Sequence, residues 1–338
     1  MVPTDIWEVA TLAGKNKTGN LPPVAQKVKN LLKSVSFATF LALDRVGVHL
    51  LPKWYSTPVP DYSWLRKNRD LWQRRTSLAG LRWDLDEQLA WLREVCEAYY
   101  HEVEGSGSYR KIFTRGFGPG YGPLESQVLH CFIRSSHPTN IIEIGSGAST
   151  AVMLRAANLN EKDRRRRPKI TAVEPFPKPA FSNLKGEVTH IEKLCQEVPQ
   201  EVFDQLGDGD LLFIDSSHAV KTGSDVLHIY FDVIPSLQPG VFVHIHDIHL
   251  PYLFHRTVLS DYFSPQETSL VLALLTNNAE LSVLCCLSAL HYDRKKGLSD
   301  VLRDYRPQVD FEGLAGGDRA TRHFPSSLWL RTSQAKHG

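Results

Sequence analysis

Asn140-Ile141-Ile142-Glu143-Ile144-Gly145-Ser146-Gly147-Ala148-Ser149-Thr150 is the stretch that decides the fold. A β-branched apolar run enters a Gly-x-Gly turn, and a helix is expected beyond it. The glycines let the backbone turn tightly and approach a ligand closely, and the start of the helix adds N–H groups with no partner inside it. Glu143 stands two positions before the first glycine. An acid beside the turn suits a ligand carrying an ammonium and repels a pyrophosphate. The third glycine of the dinucleotide fingerprint is also missing, because Thr150 occupies its place.

Outward from this turn the chain alternates helix and strand signals. Residues 124–134 read as a helix. Residues 170–173, 188–191, 211–214 and 241–245 read as strands two to five, and 281–285 and 328–331 as the last two. Short apolar strands separated by helices predict a mostly parallel α/β sheet covered on both faces. Open sheets of this kind bind ligands outside the carboxyl ends of their strands. Glu174 ends the second strand in Thr171-Ala172-Val173-Glu174-Pro175, where a Rossmann-like site accepts bonds from ribose hydroxyls. It lies farther from the glycines than the usual ~20 residues; the arginine run at 164–167 accounts for the excess. Those arginines suit either a phosphate or a solvated loop.

Phe213-Ile214-Asp215-Ser216-Ser217-His218 closes the fourth strand, and Val243-His244-Ile245-His246-Asp247-Ile248-His249 the fifth. They place Asp215, His218, His246 and Asp247 on one rim, where converging titratable groups suit acid–base chemistry or metal ligation. Any one of them alone would read as a satisfied structural polar group.

Upstream, residues 1–20 read as a loose polar end. Val24, Val28, Leu31, Leu32 and Val35 follow helical spacing, with Lys27, Lys29 and Lys33 on the other faces. Such a helix either touches a membrane surface or packs on its own protein. Pro52, Pro58 and Pro60 make residues 52–63 an extended connector. Asp84 and Glu87 resemble a capping box ahead of Leu85, Leu89, Leu92, Val95 and Tyr99 on one helical face. Six glycines over residues 105–122 predict a loop. The expected division is a mainly helical accessory region over 1–122 and a sheet-bearing domain over 123–338, with the loop and its Tyr121 at the mouth of the site.

The 338 residues are 42% hydrophobic and 22% charged with a net charge of +2, a globular composition without the basic excess of a nucleic-acid binder. The five cysteines, Cys96, Cys131, Cys195, Cys285 and Cys286, form no disulfide framework or C-x-x-C pair. With no basic-then-apolar leader and no run of about 18 apolar residues, a cytoplasmic protein without stable membrane insertion is expected.

Glu143-x-Gly145-x-Gly147, Glu174, Asp215-x-x-His218 and His246-Asp247 resemble the class I S-adenosylmethionine-dependent methyltransferases. The closest likeness is to the bacterial group labelled methyltransferase domain family 24, over residues 120–332. A weaker likeness reaches back to residues 84–92 and 54–60. The resemblance implies a Rossmann-like sheet of seven strands with the last antiparallel, and S-adenosylmethionine across the strand ends. Glu143, Gly145, Ser146 and Gly147 would flank its methionine half, Glu174 its ribose and Gln196 its adenine edge, where many relatives carry Asp. Asp215 would lie beside the transferring methyl. Metal-dependent relatives place ligands at the positions of Asp215, His246 and Asp247, so a divalent cation is one expectation there. In the metal-free alternative His218 or His246 is the base, oriented by Asp215 or Asp247. The function implied is methylation of a small-molecule hydroxyl, with residues 1–122 over the acceptor. The alternatives are a non-methylating enzyme and a cofactor-binding scaffold on the same fold. No Asn/Asp-Pro-Pro-Tyr/Phe tetrapeptide of nucleic-acid methyltransferases follows strand four; a homo-oligomer is compatible with the sequence.

Overall fold

Strands β1 (Asn140–Ile144), β2 (Lys169–Val173), β3 (Thr189–Ile191), β4 (Leu211–Ile214), β5 (Phe242–Ile245), β6 (Leu281–Cys286) and β7 (Leu328–Thr332) form one sheet in the order β3-β2-β1-β4-β5-β7-β6. The first five are parallel, and β7 runs antiparallel between β5 and β6. Each strand lies within one residue of its sequence expectation at both ends. The order reverses beside β1, which has β2 on one side and β4 on the other, and this opens a crevice at the carboxyl ends. Ile144 pairs with Val173 and with Ile214, and Ile214 pairs with Ile245. The four strands therefore end level, and Gly145, Glu174, Asp215 and His246 follow them on one rim.

This computed structural model describes residues 23–51, 57, 59–105, 107–117, 120–184, 186–254, 256–259, 265–306 and 324–333. The chain divides into two compact units between Trp72 and Gln73. The earlier unit holds helix α1 (Pro23–Asp44) and a short helix Tyr62–Lys67, whose N-terminus is capped by Asp61 accepting from the Ser63 and Trp64 N–H groups. Much of the proline-rich connector, with Pro52, Trp54 and Pro58, lies outside the described residues, as do residues 1–20.

In the second unit the strands alternate inward and outward, and each face has its own core. Ile141, Ala172, Leu211, Phe213 and Trp329 face helices α2 (Leu85–Glu97), α3 (Pro123–Ser136) and α4 (Ala148–Lys162). Ile142, Ile144, Val173, Ile214 and Val243 pack on the other side with Ile229, Tyr230 and α5 (Glu267–Leu275). Asp84 caps α2 as expected, accepting from Asp86 and Glu87 N–H groups, whereas the Glu87 carboxylate turns to Arg82 at 3.1 Å instead of closing a capping box. All five cysteines are free and buried. Among the described residues no helix is long and apolar enough to cross a membrane.

The glycine-rich segment departs from a loop. Gly107–Ile112 is a helix continued by a wider turn, Phe113–Phe117. Tyr109, Ile112 and Phe117 are buried there, so core packing outweighs the local preference of the glycines. Leu92, Tyr100, Ile112, Phe117 and Tyr121 thus share a core with α3 and α4, and the compact unit begins at Gln73 where the glycine density suggested residue 123. The arginine run is tied to its own surroundings: Arg167 bridges Glu161 and Glu187, and Arg165 bonds His137.

Two predictions follow from this packing. Trp329 is fully buried, its ring 4.7 Å from Phe132 and 5.7 Å from Trp91. Trp329→Ala should lower unfolding free energy in a denaturant titration by about 3–5 kcal/mol, and a loss below ~1 kcal/mol would remove this ring from the core. Glu102 accepts from His130 at 2.6 Å and from Arg134 at 2.8 Å. Burial alone would raise its carboxyl, but these bonds outweigh it and hold the pKa near 2 against an ordinary 4.5. The folded value is depressed, so the stabilisation is present above pH 4.5 and disappears as pH falls toward 2. Glu102→Gln should flatten that acid limb of stability; parallel limbs in variant and wild type would contradict the assignment.

Candidate active site

The glycine turn is fixed from three sides. The Gly145 N–H donates to the Val173 carbonyl at 2.9 Å, and the Asp215 N–H to the Ile144 carbonyl at 2.9 Å. Gly145 has φ +103°, and a Cβ there would come within 2.6 Å of the Asp215 carbonyl oxygen. Only glycine meets both conditions. Glu143 is fully buried beneath this turn, and its two oxygens accept from the hydroxyls of Ser149 and Thr150 in the first turn of α4. Burial pushes its carboxyl up to about 8, against the two hydroxyl bonds. Glu143 therefore braces the helix start, a different placement from the ligand-flanking acid expected from the motif.

Glu174 stands beside the turn. One of its oxygens accepts from the Ser146 hydroxyl at 3.3 Å and the other from the Phe176 N–H at 2.7 Å. The acid at the end of β2 and the middle residue of the glycine turn are thus brought together. Gln196 follows β3 on the exposed rim, where its amide donates to the Gly223 carbonyl at 3.0 Å.

The remaining candidates converge on Asp215. His218 Nε2 and His246 Nδ1 each lie 3.3 Å from the same oxygen, Asp215 Oδ1. Asp247 closes the group, 3.6 Å from His218 and 3.7 Å from His246. His218 and Asp247 take left-handed backbone conformations, φ +55° and +56°, which non-glycine residues adopt at a cost. Asp215 and Asp247 remain 27% and 37% exposed, whereas His246 is buried, so a ligand reaches the carboxylates first.

Behind the rim lie residues that sequence reasoning did not find. The His218 Nδ1 position meets Glu267, the first residue of α5, at 2.6 Å. Glu267 is itself buried and accepts from Tyr230 at 2.9 Å and Ser216 at 3.1 Å. His246 Nε2 faces buried Glu125 of α3 at 3.6 Å. Glu125 accepts from the Ser326 N–H at 2.8 Å, and the Ser326 hydroxyl donates to Asp247 at 2.9 Å. An acid inside the apolar helix 124–134 was a signal for Glu125; Glu267 had none.

The charges follow from this geometry. Burial would raise the Asp215 carboxyl, but His246 and His218 hold it well below the usual carboxylate range. Burial would lower His218, yet its bonds to Asp215 and Glu267 carry it up to about 10. His246 is raised likewise, by Asp247 and Asp215 against burial. His244 behaves oppositely, since burial and the neighbouring His246 bring it down to about 3 and keep it neutral.

Tyr121 is not at the mouth. It is buried with its ring 5.1 Å from His246 and its hydroxyl 3.2 Å from the Glu125 carbonyl, so it forms the floor under the histidines. Among the described residues, Asp215, His218 and His246 each offer one donor atom, all within 4.8 Å of one another, a set able to hold a metal ion.

Residues 142–248, from within β1 to just beyond β5, match a family of methyltransferase domains. No curated protein matches the sequence. Similar solved structures include the O-methyltransferase TomG from Streptomyces achromogenes, involved in tomaymycin synthesis, at 14% identity over 75% of this chain and 92% of that one, TM-score 0.39. The plantazolicin methyltransferase BpumL is similar at 11% identity over 74% and 98%, TM-score 0.33. Phosphoethanolamine N-methyltransferase 2 of Haemonchus contortus is similar at 13% over 72% and 60%, TM-score 0.34. These distant likenesses say nothing of the acceptor. The matched domain, set in a seven-stranded sheet with an antiparallel β7, is that of a methyltransferase and occupies residues 142–248 of this chain.

Proposed function

We propose that the chain methylates a hydroxyl of a small-molecule acceptor, and that the acceptor's proton is taken at the rim formed by Asp215, His218, His246 and Asp247. The observation that carries this reading is the approach of two imidazoles to one partly exposed carboxylate oxygen, each at 3.3 Å, next to the glycine turn. The donor lies over Gly145, Ser146 and Gly147, with its ribose hydroxyls on Glu174 and its adenine edge toward Gln196. Its methyl is directed to Asp215, whose backbone abuts Gly145. The acceptor oxygen attacks the sulfonium methyl in line; a C–O bond forms as the S–C bond breaks, and the proton passes to the rim. The products are a methyl ether and S-adenosylhomocysteine.

Asp215, His218 and His246 fit a divalent cation that tolerates nitrogen ligands, such as manganese, better than magnesium. The placement of Glu267 and Glu125 behind the two imidazoles supports that fit, because a carboxylate on the far nitrogen orients a ligating histidine. When bound, such an ion lowers the pKa of a hydroxyl beside it. Without it, the same Glu267 contact orients His218, which holds its own proton until the pH approaches 10 and serves as the base only once that proton has left, so the metal-free route gains rate as pH rises.

Labelled methyl donor supplied with a panel of hydroxyl-bearing metabolites should yield methyl ethers. Asp215→Ala, His218→Ala and His246→Ala should each lower kcat by roughly 10²–10⁴, and wild-type rates in all three would remove the rim from catalysis. Products methylated only on nitrogen or carbon would replace the hydroxyl reading. Activity lost to a chelator and restored by manganese is the outcome expected with a cation; full activity in chelator eliminates it. For the donor half, Gly145→Ala forces a Cβ into left-handed backbone and against Asp215, at a cost of roughly 1–3 kcal/mol. Calorimetry should show S-adenosylmethionine binding weakened by about tenfold or more, and unchanged affinity would move the donor off this turn.

A further inference from the structure

We propose that α1 docks this protein on an anionic membrane surface, an interaction that goes beyond the methyl-transfer reading. Val24, Val28, Leu31 and Val35 recur at helical spacing and form one stripe along the first part of α1. They are exposed, Val24 at 73% and Leu31 at 64%. Farther along, on another face of the helix, Phe37 is 61% exposed and Leu41 is exposed too, and residues 36–43 hold no charge. An apolar surface of this length is rare on a water-facing protein and marks an interaction site.

The charge pattern selects the partner. Residues 9–43 contain five lysines, at 15, 17, 27, 29 and 33, and no acidic residue. A second copy carries the same unbalanced positive charge and so offers no complement to it. A bilayer containing anionic lipid offers both complements at once: an acyl boundary for the apolar stripe and headgroup charge for a segment whose only charged residues are lysines. No described helix is apolar enough to cross the bilayer, so α1 lies in the interface plane.

The test is co-sedimentation of the full chain with phosphatidylcholine vesicles, with and without phosphatidylserine. Binding should require phosphatidylserine and weaken as salt rises. Lys27→Glu combined with Lys33→Glu should reduce partitioning about tenfold or more, given the contribution of each lysine near such a surface. Leu31→Glu combined with Val35→Glu should abolish it. S-adenosylmethionine binding, measured by calorimetry, should be retained in both variants and shows that they fold. The proposal is overturned by absence of binding, by equal binding to neutral vesicles, or by variants that bind as the wild type does. It is also overturned if the chain ignores vesicles and instead forms a concentration-dependent dimer that Leu31→Glu with Val35→Glu dissolves.

Discussion

The site depends on one backbone constraint: β1, β2, β4 and β5 end level, and the ladder continues one residue past each end. Gly145 donates to Val173, Glu174 to Ile191, Asp215 to Ile144 and His246 to Ile214. Each functional position is therefore held by a main-chain bond to the last residue of a neighbouring strand. Side chains placed in this way inherit the precision of the sheet. The crevice exists because the strand order reverses beside β1, and the absence of a Cβ at Gly145 lets β1 and β4 close to the distance that puts Asp215 beside the turn.

A second layer gives the rim its charge. Two carboxylates that face the ligand side, Asp215 and Asp247, are matched by two imidazoles, and each imidazole is backed by a deeper carboxylate, Glu267 or Glu125. Buried charge is costly unless paired and hydrogen-bonded. Here Glu267 is satisfied by the Tyr230 and Ser216 hydroxyls, and one oxygen of Glu125 accepts from the Ser326 N–H. The three segments that meet at this point, α3, α5 and the start of β7's approach, are distant in sequence, so the layer is a product of tertiary structure alone.

That distance explains what could be read from the residues. All seven strands were legible because buried parallel strands are short apolar runs with sharp ends, and the rim followed because strand ends are marked by the first polar residue after such a run. Glu174 and Asp215 are found in this way. Glu143 shows the limit: its spacing from the glycines identifies the turn, but the pull of the Ser149 and Thr150 hydroxyls decides where its oxygens go. Tyr121 and residues 107–117 were misplaced for a related reason. Glycine density reports backbone freedom, and the burial of Tyr109, Ile112, Phe117 and Tyr121 in the core overrides it. Glu267 lay beyond sequence reasoning because nothing near it in the chain signals a histidine partner 49 residues away.

The sign of the rim fits the direction in which charge moves in the proposed reaction. A sulfonium donor is positive before transfer and neutral afterwards, while the attacking hydroxyl oxygen becomes positive until its proton leaves. Negative charge close to the acceptor oxygen stabilises what develops there. Negative charge close to the sulfur stabilises the ground state and does not accelerate the step. The proposed placement separates the two: Glu143, nearest the glycine turn, is pushed toward its neutral form by burial, whereas Asp215 and Asp247 are held ionised by the histidines beside them. On the proposed placement, ionised carboxylates paired with imidazoles face the acceptor and a neutral acid lies beneath the donor.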